Sequence, residues 1–156
     1  MPVPGPDVSA GCDHRRMALP QPDDLTSLVL RTDFGDDAAW DALRAAVHAL
    51  DGGPHATWVS DPRFAGVGIP ELLHEDNAAD EDEQLTHLFL ADATALADPQ
   101  HRLLALDLYD EPGRTFRVPP AWFPDISANL SIANMDFEDF ADCADASGTF
   151  RGFGDG

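Results

Sequence analysis

A chain of 156 residues, 44% of them hydrophobic, is long enough to bury one real core, so its acidity does not imply disorder. It sets 29 acids, 23 of them Asp, against nine cations, all arginine, for a net charge of −20. Such a surface repels phosphate backbones and anionic membranes, which excludes nucleic acid and the bilayer as partners and favours a cationic partner, a divalent metal or plain solubility.

The absence of lysine beside abundant Ala, Asp, Gly, Pro and Arg is also what codon bias in a GC-rich genome, or adaptation to salt, would leave. Cys12 and Cys143 lie far apart with no metal-ligand spacing, so both read as free thiols in a reducing, cytoplasmic setting. No apolar run approaches membrane-spanning length.

Residues 1–22 hold five prolines and no apolar periodicity, and are expected to form a disordered tail. Residues 27–34 read as the first strand, its apolar run Leu28-Val29-Leu30 suiting a strand covered on both faces. Gly35 breaks it. Asp36 is a suitable N-cap for a helix over 37–50, with Trp40, Leu43, Val47 and Leu50 as its buried stripe and Gly52-Gly53-Pro54 as its stop. Residues 56–60 are a second strand, and Pro70 opens a short helix over 70–74. The acidic stretch 75–83 reads as a solvated loop or frayed helix end.

Residues 87–92 and 103–109 are the third and fourth strands. Glu111-Pro112-Gly113-Arg114 has turn chemistry and returns the chain as a fifth strand, 115–118, antiparallel to the fourth. Residues 121–135 carry apolar mass (Trp122, Phe123, Ile126, Leu130, Ile132), but Asn and Ser interrupt every pattern. Asp136 caps a last helix with Asp139 as its capping-box partner, Phe137, Phe140, Ala141 and Ala144 as its inner stripe, and Gly148 as its end. The whole, residues 23–153, is a single α/β domain: a mixed sheet of about five strands, a parallel core plus a C-terminal hairpin, flanked by helices. Residues 154–156 are a short end.

Two blocks carry a resemblance. One is residues 28–34 followed by Ala39-Trp40. The other, longer and more specific, is residues 107–118 continued by Asn129-Leu130-Ser131-Ile132-Ala133-Asn134-Met135-Asp136-Phe137. Together they resemble a family of small acidic actinobacterial proteins described only as a domain of unknown function. The likeness spans about residues 23–153 and leaves out residues 1–16 and the acidic stretch 75–83. The resemblance implies a single cytosolic domain and brings no activity, cofactor or catalytic residue with it.

Asp33, Asp92, Asp107 and Asp110 fall near the ends of predicted strands, where open α/β sheets bind ligands. Converging there, they would hold Mg²⁺ for hydrolysis; the commoner role is that Asp33 and Asp36 cap backbone NH groups while Asp107 and Asp110 pair with arginines. Within residues 23–153 Arg114 and Arg117 form the densest cationic pair, suited to an anion or, more often, to acids across their own hairpin. Asn129 and Asn134 either bond backbone in irregular structure or present a recognition surface. Trp58, Tyr109, Trp122 and Phe123 read as core before they read as pocket. The six histidines lack HxH or HExxH spacing, and there is no GxSxG, GxGxxG or GxxxxGK[ST] motif, so no zinc, nucleotide or other cofactor is expected.

The reading that follows is a non-enzymatic interaction domain whose acidic surface, Glu81, Asp82 and Glu83 included, engages a basic partner protein in the manner of an immunity or inhibitor protein. The alternatives are a small Mg²⁺-dependent hydrolase using the four aspartates, and a domain whose charge serves solubility alone.

Overall fold

The computed structural model describes residues 18–50 and 55–152. Its five strands, β1 (Ser27–Arg31), β2 (Ala56–Val59), β3 (His87–Ala91), β4 (Leu103–Asp107) and β5 (Thr115–Val118), form one sheet in the order β2-β1-β3-β4-β5. β1 pairs in parallel with β2 and β3, while β4 runs antiparallel to β3 and β5 antiparallel to β4. The expected α/β domain, with a parallel core and a carboxyl-terminal hairpin, is therefore present.

Five α-helices cover the sheet: α1 (Asp37–Leu50), α2 (Ile69–Ala78), α3 (Ala93–Ala97), α4 (Phe123–Ser131) and α5 (Phe137–Ala141). The period-2 alternation of strands sorts them onto two faces. Val29, Phe89, Ala105 and Phe116 meet the buried side chains of α1, α3, α4 and α5 on one side. Leu28, Leu30, Leu88 and Leu90 meet Phe64 and the α2 residue Leu72 on the other. This is why β1 is buried along its whole length. Trp40, Leu43 and Val47 are buried as the α1 stripe predicts; the predicted Gly52-Gly53-Pro54 stop lies outside the described residues.

Four expectations change. The helix expected over 70–74 runs on to Ala78, so the first part of the acidic stretch is a helix end, one of the two forms expected, and not solvated loop. Asp76 is only 6% exposed, and its carboxylate accepts the backbone NH of Leu85 at 2.7 Å; only Glu81–Glu83 stand in an exposed 3-10 turn. Residues 123–131, which showed no clean period, form α4, because the serines that break its apolar stripe point inward to polar partners. The last helix ends at Ala141, not Gly148. A turn built on Asp145 then brings Thr149 beside Arg117 of β5 as a parallel bridge. Finally, residues 18–22 of the expected tail touch the domain. Leu19 packs on the α2-side core, the Gln21 amide donates to the Glu83 carbonyl, and Arg63 reaches the Ala18 carbonyl. Residues 1–17 lie outside the described residues.

Candidate functional site

Strand direction decides where the four aspartates lie. Asp33 and Asp92 follow the carboxyl ends of β1 and β3. Because β4 is antiparallel, with His87 opposite Asp107, the Asp107 carboxylate stands at the amino end of those strands, and Asp110 follows it there. The four carboxylates therefore do not converge, and the geometric premise of a shared metal site is absent. Among the described residues no group of three or more His, Cys, Asp and Glu is placed to hold a metal ion.

Asp33, Asp92 and Asp107 each bond locally, whereas Asp110, expected like Asp107 to pair with an arginine, has no arginine partner among the described residues: Arg114 takes Glu111 and Asp142, and Arg117 takes Asp92. Asp33 accepts the Gly35 NH at 3.0 Å and Asp36 the Ala39 NH at 3.0 Å, as capping predicts. Asp92 caps α3 through the Ala95 NH and takes both terminal nitrogens of Arg117, at 2.9 and 3.0 Å. Asp107, expected to pair with an arginine, instead accepts the backbone NH groups of Tyr109 and Glu111 at 2.9 and 2.8 Å. It thereby folds the loop that Gly113, at φ 100°, closes.

The carboxyl edge is filled. Arg31 is only 4% exposed, with its guanidinium 4.5 Å from the Phe34 ring centroid and 5.4 Å from that of Trp40. It donates to the Asp33 carbonyl, Asp37 and Ser60. Arg114 and Arg117 are committed as well: Arg114 bridges Glu111 and Asp142, and Arg117 grips Asp92 across the sheet rather than an acid of its own hairpin. Each of the seven described arginines faces an acid of this chain, Arg44 most loosely, 3.9 Å from Asp41.

An open cleft lies at the opposite, amino edge. Leu130, Met135 and Phe137 line it together with Thr86 and His87, and Asp107, Tyr109, Asp110 and Asp136 complete it. Its volume of about 130 Å³ suits a side chain and falls short of the ~300–1,000 Å³ of a small-molecule site. Asp110 has its carboxyl raised above the usual range, first by lost hydration and then by the charges of Asp107, Asp136 and Glu111. Asn129 and Asn134 do not line the cleft: the Asn134 amide donates to the Asn129 side-chain oxygen at 2.7 Å, and Asn129 donates to the Asp125 carbonyl at 2.8 Å. Asn129 therefore bonds backbone, one of the two roles expected, while the Asn134 amide is spent on the Asn129 side chain. Between them Ala133 takes φ 55°, a left-handed conformation that costs a non-glycine residue about 1 kcal/mol.

A second, larger and more open cleft of about 280 Å³ shares Thr86, His87 and Leu130 and is lined also by Asp23, Leu25, Ser27 and Ser131. Leu25 is left-handed too, at φ 62°. Tyr109, read from sequence as core, is 71% exposed, and with Leu25 at 65% and Ile132 at 58% it makes up the exposed large hydrophobics of the described residues. Of the other aromatics weighed with it, Phe123 is buried, and Trp58 and Trp122 are half-buried against the core.

Beneath these clefts runs a polar chain that sequence reading missed. Ser127 can only donate to the His55 carbonyl, at 2.6 Å, so Ser27 donates to Ser127 at 2.7 Å. The Ser27 oxygen is then the acceptor for His87 Nε2–H at 2.8 Å, and the neutral ring accepts from Thr86 at Nδ1, 2.9 Å away. Burial holds the His87 pKa down to about 4, with Asp107 pulling the other way. A proton on Nε2 means that this ring cannot take one from Ser27. In this arrangement the serine–histidine pair is a strut that ties β1, β3 and α4 together. No motif spacing announces it; its members lie 60 and 100 residues apart.

Residues 26–153 match the family described as Domain of unknown function (DUF6924), and the chain belongs to that family. The match runs through residues 75–83, which the resemblance had left out. No curated protein matches the chain. Among the described residues no helix is long and apolar enough to cross a membrane.

Proposed function

We propose that this domain is a non-enzymatic interaction module that binds a basic protein partner, in the manner of an immunity or inhibitor protein covering a cationic surface. The observation that carries the reading is charge commitment: every described arginine faces an acid of its own chain, while the net charge remains −20. The surplus acids, with exposed Glu81, Asp82 and Glu83 among them, have a field to offer and few internal cations to absorb it. A cationic surface is what such a field selects, and it speeds association more than it deepens affinity.

The test is kinetic. Neutralising Glu81, Asp82 and Glu83 to Gln and Asn leaves the melt unchanged, since the turn is exposed, and slows capture of a basic partner. The difference shrinks as salt rises, because screening at about 0.15 M acts over ~8 Å. An association rate indifferent to both salt and the triple substitution would leave solubility as the account of the charge.

A further inference from the structure

We infer that the amino edge of the sheet is the docking surface and that it takes a basic, apolar segment of a partner protein, an arginine side chain lying in the cleft beside Tyr109, Asp110 and Asp136. The inference rests on the interaction reading above and adds its location and chemistry.

The apolar content comes first. Monomer surfaces scatter large apolar side chains singly, and a concentration of them marks a contact surface. Here Leu25, Tyr109 and Ile132 all belong to one edge. Leu25 lines the second cleft and Tyr109 the first, while Ile132 sits between Ser131 of the second and Ala133 of the first. Two of the three non-glycine residues with positive φ among the described residues, Leu25 and Ala133, stand at the same edge, and backbone strain of this kind gathers where a surface is used.

Charge then selects the occupant. The first cleft has an apolar base of Leu130, Met135 and Phe137 and an acidic mouth of Asp110 and Asp136. The nearby arginine, Arg114, is held by Glu111 and Asp142. A second copy of the chain would bring the same acidic edge and be repelled. An arginine fits both parts: its methylene stem lies on the apolar base, and its planar head meets carboxylates and stacks on the tyrosine ring.

Tyr109 is the chain's one tyrosine, so fluorotyrosine in the full chain gives a single ¹⁹F resonance inside the proposed site. The probe is an acetylated, amidated Leu-Arg-Leu-Arg-Leu peptide, with a citrulline-for-arginine peptide as its neutral twin. A saturable shift is expected with the arginine peptide, weakened about tenfold or more for the citrulline twin and for the doubly substituted Asp110→Asn, Asp136→Asn protein. Leu25→Ser with Ile132→Ser weakens it as well. Both substituted pairs are exposed, and an unchanged melt verifies their folding. Equal shifts with the two peptides, or an arginine response intact in the Asn variant, overturn the inference. So does a wild-type response that emerges only once residues 1–16 are deleted, since the chain's own Arg15 and Arg16 would then be the occupant. If the peptide fails while the salt-dependent capture above persists, this site is wrong and the charge reading stands; if capture fails too, both fall.

Discussion

His87 ties β3 to β1 and α4 through its ring, and that ring makes the stability of the fold depend on pH. Its ring is neutral in the folded protein, with a pKa held near 4 by burial, against an ordinary value of 6.5. Between those values the unfolded ring binds a proton that the folded ring refuses, so stability falls as pH drops from about 6.5 towards 4. The full shift corresponds to roughly 3 kcal/mol. In urea titrations across that window the wild type should lose stability faster than His87→Gln; parallel losses would mean that the imidazole is not responsible. Asp76 runs the other way. Burial raises its carboxyl, partly offset by the Leu85 NH. The folded form therefore binds the proton more readily than the unfolded one, and stability is lost as pH rises through that raised value. Asp76→Asn keeps an oxygen for Leu85 and removes the buried charge. It should melt at least as high as wild type at pH 7, whereas Asp76→Ala, which strands the NH, should cost about 1–3 kcal/mol. An Asn variant as damaged as the Ala variant would contradict this.

The elements divide into those whose signals are local and those whose signals are not. The β1 apolar run, the Asp36 cap and the Gly113 turn are each decided within a few residues, and each was legible. The capping box was legible too: Asp139 accepts the Asp136 NH at 2.9 Å and opens α5. Its length was not, because a turn built on Asp145 replaces the helix after Ala141. Ser127 hid α4, since a serine on the inner face looks like a break in the stripe until its partner at residue 27, a hundred positions away, is known. α3 is one capped alanine-rich turn, too short for any period. The candidate site was the least legible part, because only the antiparallel sense of β4 decides which edge receives Asp107. At this scale the firm expectation concerns α5: Phe137 and Phe140 both pack on Phe116, with centroids 5.0 and 6.5 Å away. Each Phe→Ala change should cost roughly 3–5 kcal/mol in chemical denaturation. Near-neutral values for both would place this helix elsewhere.

For the molecule as a whole, the domain starts earlier than its first strand. Leu19 contributes to the core on the α2 side, and Gln21 ties that approach to the acidic turn. A chain begun at Met17 should melt with the full-length protein, and one begun at Asp23 should melt several degrees lower. Identical melts for the two would show that this contact adds nothing.

The bridge between Arg117 and Thr149 has a consequence for how the molecule behaves in a crowd. A sheet ends in two rows of unspent backbone groups, and an open row is a template on which other chains can grow. On the β5 side part of that row is spent on the protein's own last segment: Arg117 NH donates to the Gly148 carbonyl, and Phe150 NH donates back to the Arg117 carbonyl. The stitch is held by Asp145, whose carboxylate gathers Ser147, Thr149 and Arg151. The protein therefore brings its own edge guard, a few residues long, so protection of this edge does not rest on like-charge repulsion alone and should persist in salt strong enough to mute that repulsion.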